Sequence, residues 1–254
     1  MIYKDIIEKH HDTIVANFEQ SRVLENVLTP AQINELILYQ FQKSDRVRWT
    51  DTSNNIQPIC NVSNLFTDLD WIQPLFESEL GDFSDIHSGN YFITTQLHDA
   101  HVDLLTESET NEHWAADLLL YKSCVIPLMI SNNRPAFTAF FDQRHIGYSI
   151  TLDRANQSLQ EKSLYEISRD YPNFYLKDGT ISPKSKYTVG NEYVFTHIDD
   201  RNLDDLTIEA VYEFKPGNIM LFDACQIHAS CVPKSRPNYH WLKNGINIQF
   251  YKKV

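Results

Sequence analysis

Cysteine is scarce in this chain: 254 residues carry four, Cys60, Cys124, Cys225 and Cys231, and no two of them form a C-x-x-C pair. So few thiols in so long a chain exclude a disulfide framework, and reduced thiols in a cytoplasmic protein are expected. Long apolar runs are missing too. The longest, Cys124–Ile130, has seven residues, far short of the roughly 20 a helix needs to cross a bilayer. The opening MIYKDIIEKHHDTIV places acids and histidines where a secretion signal needs an apolar core, so neither export nor membrane insertion is expected. Cations are in the minority, with Lys plus Arg 22 against Asp plus Glu 34, or 22 − 34 = −12. That balance argues against nucleic-acid partners, whose phosphate backbone is bound by clustered cations. What is abundant is core material: 42% hydrophobic and 12% aromatic residues, enough for one folded domain.

The residue pattern changes character along the chain. Residues 1–85 read mainly as a helical preface, with near-helical apolar spacing over Tyr3–Phe18. A clearer helix starts at Thr29-Pro30-Ala31-Gln32, which combines an N-cap Thr, Pro at the first helical position and Gln at the capping-box position. Ile33, Leu36, Ile37 and Phe41 would form its buried stripe. A third helical stretch covers Asn64–Leu80, with Pro74 at a start or a kink. From residue 86 onward the expectation is a β core with an insertion around 142–190, including a polar helix over Arg154–Arg169. Strands are expected at Tyr91–Leu97, Lys122–Ile130, Ala136–Phe141, Gly147–Leu152, Glu192–His197, Thr207–Phe214, Asn218–Asp223, Gln226–Val232 and Gly245–Tyr251. Short strands separated by turn residues indicate a sandwich or barrel, and the whole chain reads as one catalytic domain.

The chemistry concentrates in two places. Leu97-His98-Asp99-Ala100-His101-Val102-Asp103 follows the first of these strands. His101 and Asp103 are two apart, so extended backbone projects both to one face and offers two neighbouring metal ligands. A third ligand from a distant strand is available in Lys215-Pro216-Gly217-Asn218-Ile219-Met220-Leu221-Phe222-Asp223-Ala224-Cys225-Gln226-Ile227-His228-Ala229-Ser230. There a turn and an apolar strand lead into a second strand carrying His228. With these residues the chain resembles the Fe(II)/2-oxoglutarate-dependent oxygenases. The likeness lies in the His-x-Asp plus distal His and in the PGNIMLFDACQIHAS block, over Tyr91–Asp103 and Lys215–Phe250.

The resemblance implies a double-stranded β-helix (jelly-roll, cupin-like) core. It also implies catalytic Fe(II) on His101, Asp103 and His228, with 2-oxoglutarate and O₂ as co-substrates. Two imidazoles and a carboxylate on one face of octahedral iron leave three positions for 2-oxoglutarate and O₂. Members that halogenate lack the carboxylate. Asp103 therefore implies hydroxylation of a C–H bond in a small-molecule or peptidyl substrate, releasing succinate and CO₂. The distal carboxylate of 2-oxoglutarate requires a buried cation. Lys243 is the first candidate because it adjoins the strand after His228, and Arg236, eight residues past His228, is the competitor. Tyr91 is a further candidate for hydrogen-bonding the co-substrate, against an alternative reading as a core tyrosine.

Other readings compete with these. His197-Ile198-Asp199 is a second His-x-Asp, but only 31 residues separate His197 from His228, little room for the strand crossings the fold needs. His98 has the opposite parity to His101 and reads as an outer-shell or surface residue, while Cys225 and Cys231 read as packing. Two rival functions stay open: a cupin-like metal enzyme without 2-oxoglutarate, and a metal-free jelly-roll binding module. The side toward which Lys243 or Arg236 points discriminates between the first of these and the oxygenase reading.

Overall fold

In the computed structural model of the chain, the described residues are 10, 12–13, 16–42, 48–52, 55–61, 64–81, 83, 85–94, 97–102, 118–131, 135–145, 150–151, 174–175, 193–195, 197–198, 203, 206, 208–233 and 242–253. The expected helices over Tyr3–Phe18, for the most part, and over Arg154–Arg169 lie outside them.

Helix α1 (Pro30–Gln42) begins where the capping box predicts. The Thr29 hydroxyl accepts from the Gln32 amide at 3.3 Å, and the Gln32 side chain accepts from the Thr29 N–H at 2.9 Å. Thr29→Ala should cost about 1 kcal/mol of stability, read by urea unfolding. The buried face differs from the expected stripe. Leu36, Tyr39 and Gln40 are buried while Phe41 is 65% exposed, because α1 packs through a narrower stripe that Phe41 overshoots. The predicted third helix is two, α2 (Leu65–Asp68) and α3 (Ile72–Leu80). Pro74 sits in the first turn of α3, where a missing N–H costs no intrahelical bond.

Fourteen strands are present among the described residues. One sheet runs β1 (Arg22–Leu24), β12 (Ile219–Asp223), β6 (Leu118–Ile130), β14 (Lys243–Lys253), β4 (Asp85–Thr94), β3 (Asn55–Asn61), β2 (Arg48–Thr52). The second runs β11 (Ile208–Glu213), β7 (Phe137–His145), β13 (Gln226–Pro233), β5 (His101–Val102), β8 (Ile150–Thr151), with β10 (Tyr193–Val194) on β13 and β9 (Phe174–Tyr175) on β7. Every pairing is antiparallel. Among the eight strands of the quartets β12-β6-β14-β4 and β11-β7-β13-β5 the chain changes sheet at every step except from β7 to β11, which are both in the second sheet; this is the double-stranded β-helix.

The helical preface also carries strands among its described residues. β1, β2 and β3 all fall within the first 85 residues and extend the first sheet at both ends. Their sequences alternate too briefly to register as strands, and they are ordered by pairing with β12 and β4.

Three apolar clusters follow from strand parity. The outer face of the first sheet (Tyr91, Cys124, Ile126, Ile246, Ile248, Phe250) packs on the helices through Leu36, Leu65, Ile72 and Phe76. The inner faces meet through Phe140, Phe214, Met220, Phe222 and Val232. The outer face of the second sheet (Ala139, Phe141, Ile227, Ala229, Cys231) is covered by Phe195, Ile198, Leu203 and Leu206. On β13, therefore, 227, 229 and 231 face outward and 228, 230 and 232 inward. Among the described residues no helix is long and apolar enough to cross a membrane.

Candidate active site

His101 and His228 are register partners across β5 and β13, and cross-strand partners share a face. Their rings lie 4.3 Å apart between centroids. Two imidazoles sharing one metal at right angles, with bonds of about 2.1 Å, have ring centres roughly 4.5 Å apart.

The tautomers suit a metal as well. His101 Nδ1 lies 2.6 Å from the Asp99 carbonyl and His228 Nδ1 lies 3.0 Å from the Gln226 carbonyl. A carbonyl oxygen only accepts, so each Nδ1 carries the proton and each Nε2 the lone pair a metal takes. Among the described residues no three potential ligand side chains converge, and Asp103 lies outside them.

Around the pair the inner wall is aromatic. Phe140 stacks on His228 at 5.7 Å and Phe222 tilts against it at 5.0 Å. Such a wall keeps water away from the imidazoles.

Lys243 enters the same interior from the start of β14. It is 3% exposed, and its ammonium donates to Ser230 Oγ at 3.3 Å and lies 5.3 Å above the Phe214 ring. Burial is the main influence on it, pushing its pKa from 10.5 down to about 8, with Cys231 opposing slightly. Two residues on, Gly245 lets the strand lie close to the aromatic wall: a Cβ there would come within 2.8 Å of Phe92, 2.9 Å of the Ile126 carbonyl and 3.0 Å of Phe214.

Ser230 was not singled out by the sequence. Its parity with His228, two residues earlier, is the signal that could have found it. Ser230 Oγ also accepts from the His98 N–H at 3.1 Å, and its own N–H donates to the His98 carbonyl at 3.0 Å. One serine thus ties together the lysine, the His228 strand and the segment leading to His101.

The other predicted residues are placed as follows. Tyr91 requires correction: it faces the helices, where its hydroxyl donates to the Leu36 carbonyl at 2.7 Å. Its partner Ile246 is on the outer face of the sheet, and the inward positions on β4 are Phe92 and Thr94. Arg236 and Asp199 lie outside the described residues. His98 precedes β5 in non-strand backbone, so strand parity does not govern it, and its ring is 5.6 Å from that of His101. His197 Nε2 donates to the His98 carbonyl at 2.9 Å, and burial lowers its pKa. Cys231 is buried, with its thiol pushed up to about 12, too protonated to ligate a metal readily.

A buried ionic cluster closes the interior at the turn between β12 and β13. Asp223 accepts from Lys122 at 2.6 Å and from Arg144 Nε at 2.9 Å. Arg144 is also 3.5 Å from Glu209. Arg144 and Lys122 donate to the carbonyls of Glu19 and Asn17, and Glu209 accepts from the Ser21 N–H and hydroxyl. Together these side chains hold the main chain of residues 17–21. Burial pushes the Glu209 pKa up, but the Ser21 hydroxyl first, then the Arg144 guanidinium, the Ser21 N–H and the Gln226 amide outweigh it and draw it below the ordinary carboxylate value. Asp223→Ala leaves two buried cations short of their carboxylate and should cost about 3–5 kcal/mol in chemical denaturation.

No model of a known protein family matches the chain, and no curated protein matches it in sequence. Solved structures with a similar course are a Pseudomonas putida prolyl-4-hydroxylase, the carbocyclase SnoK and EctD from S. alaskensis. The prolyl-4-hydroxylase has TM-score 0.45, 8% identity, and coverage of 95% of this chain and 98% of that one. For SnoK, a non-heme alpha ketoglutarate dependent enzyme of nogalamycin biosynthesis, the values are 0.47, 10%, 99% and 84%. For EctD they are 0.43, 12%, 99% and 77%.

Proposed function

We infer that the chain is an Fe(II)- and 2-oxoglutarate-dependent oxygenase that hydroxylates a C–H bond of a small-molecule or peptidyl substrate. The observation that carries this reading is the His101–His228 pairing across β5 and β13, with both rings in the Nε2-ligating tautomer. Asp103, two residues beyond His101, is the third ligand in this reading. When bound, iron and 2-oxoglutarate activate O₂, so that 2-oxoglutarate is oxidised to succinate and CO₂ and one oxygen atom enters the substrate.

The chain's own residues supply the setting. Lys243 faces inward, as a co-substrate anchor must, and its ammonium answers the distal carboxylate of 2-oxoglutarate. Ser230 Oγ adds a hydrogen bond to the same carboxylate. A dianion entering an apolar interior is tolerable only against such a cation. Phe140 and Phe222 exclude water beside His228. The inward lysine favours this reading over a cupin-like enzyme without 2-oxoglutarate.

The test is succinate formation from 2-oxoglutarate with Fe(II) and O₂, screened across amino acids, other small metabolites and peptides. Substrate-stimulated succinate supports the reading. Product formed without 2-oxoglutarate would move it to the cupin-like class.

A further inference from the structure

The pairing of β13 with β7 is irregular beside His228. Gln226 pairs with Arg144 and His228 pairs with Phe140. Between those pairs Ile227 on β13 faces Phe141, Asp142 and Gln143 on β7. Such a bulge breaks the ladder and leaves main-chain carbonyls to find other donors. Two are satisfied by side chains: Gln226 Nε2 donates to the Phe141 carbonyl at 2.9 Å, and Arg144 donates to that of Asp142 at 2.6 Å. Gln226 Nε2 also donates to Glu209 Oε1 at 3.2 Å. Both partners are acceptors, so the orientation of the amide is fixed. The Gln226 carbonyl, on the same residue, receives the His228 Nδ1 proton at 3.0 Å.

We propose that Gln226 is the positioning residue for His228: its buried amide staples the β7 bulge and so fixes the carbonyl that orients the imidazole. Glu209, which takes the same amide, also holds Ser21. The N-terminal segment at residues 17–21 is thereby continuous with the support of the metal ligand, by way of Ser21, Glu209, Gln226 and His228. This inference rests on the metal reading of His101 and His228. Gln226 touches neither metal nor substrate, and it acts through the direction of one lone pair.

The test substitutes Co(II), whose paramagnetism displaces the ring N–H protons of bound histidines in the NMR spectrum. Gln226→Met keeps the volume and removes both donors. The expected result is a protein with wild-type circular dichroism whose Co(II) affinity falls about tenfold, the scale on which a metal site responds to loss of an outer hydrogen-bond partner. The His228 Nδ1–H signal should shift and exchange faster with solvent, while the His101 signal, anchored on Asp99, stays. If the Met variant does not fold, Gln226→Asn, too short to reach both acceptors, should move the same signal in the same direction. Unchanged affinity and an unmoved His228 signal in a folded variant overturn the proposal. A wild-type protein that takes up no Co(II) overturns the metal reading beneath it, a result separable from the first.

Discussion

His101→Ala and His228→Ala proteins should each emerge folded and without iron. Removing an outer partner of a ligand typically weakens a site ~10–100-fold, and removing the ligand itself should do more. Fe(II) stands low in the order of divalent affinities and is held by geometry and ligand number. Each imidazole is presented by its own strand and its own carbonyl, Asp99 for one and Gln226 for the other. Loss of one therefore leaves the other in place but insufficient. The folded state is checked by circular dichroism and the metal by stoichiometry after anaerobic Fe(II) loading. Full iron content in either folded variant would dissolve the pairing on which the function rests. Asp103→Ala should bind iron more weakly and lose substrate hydroxylation.

Lys243→Met should separate function from stability. The lysine is costly to bury: its pKa falls from 10.5 to about 8, so the fold disfavours its charged form. That penalty is fully present below pH ~8 and disappears as pH rises past the unfolded value near 10.5. A neutral side chain of similar length removes it, so the variant should melt no lower than wild type at pH 7. The requirement for 2-oxoglutarate should rise at least ~10-fold, since losing a charge-assisted hydrogen bond costs on the order of 1.5–3 kcal/mol. Iron binding without co-substrate should be unaffected. In the wild type, 2-oxoglutarate affinity should weaken as pH rises through about 8, where the ammonium loses its proton. The titratable groups coupled to it electrostatically do not confuse the profile: burial holds the Cys231 thiol protonated up to about 12 and keeps the His197 imidazole below its ordinary range. A co-substrate affinity independent of both Lys243 and pH would remove this lysine as anchor.

Much of this was legible from the chain because it depends on local chemistry. The Thr29 capping box, the apolar run of β12 and the strand carrying His228 all reside in contiguous residues, and each forms where expected. Lys243 could be named a candidate from its place beside the strand after His228, but its inward direction shows only in its contact with Ser230. Less was legible where a partner decides. The short strands β1, β2 and β3 exist through pairing with distant segments. Tyr91 was misdirected because an isolated strand does not reveal which face is inner, and only the pairing of β4 with β14 shows that Phe92 and Thr94 hold that side. The bulge beside Gln226 needs the register of β7, whose Phe141 lies 85 residues from Gln226 in the chain, and no local pattern announces it.

In the proposed function, one metal centre beside His101 and His228 takes 2-oxoglutarate. Anaerobic titration of the Fe(II)-loaded protein with 2-oxoglutarate, followed by visible absorption, tests it most directly. The expected result is a weak charge-transfer band that saturates at one equivalent, disappears in His228→Ala and requires more co-substrate in Lys243→Met. A band that persists in His228→Ala, or none in wild-type protein carrying stoichiometric iron, would contradict it.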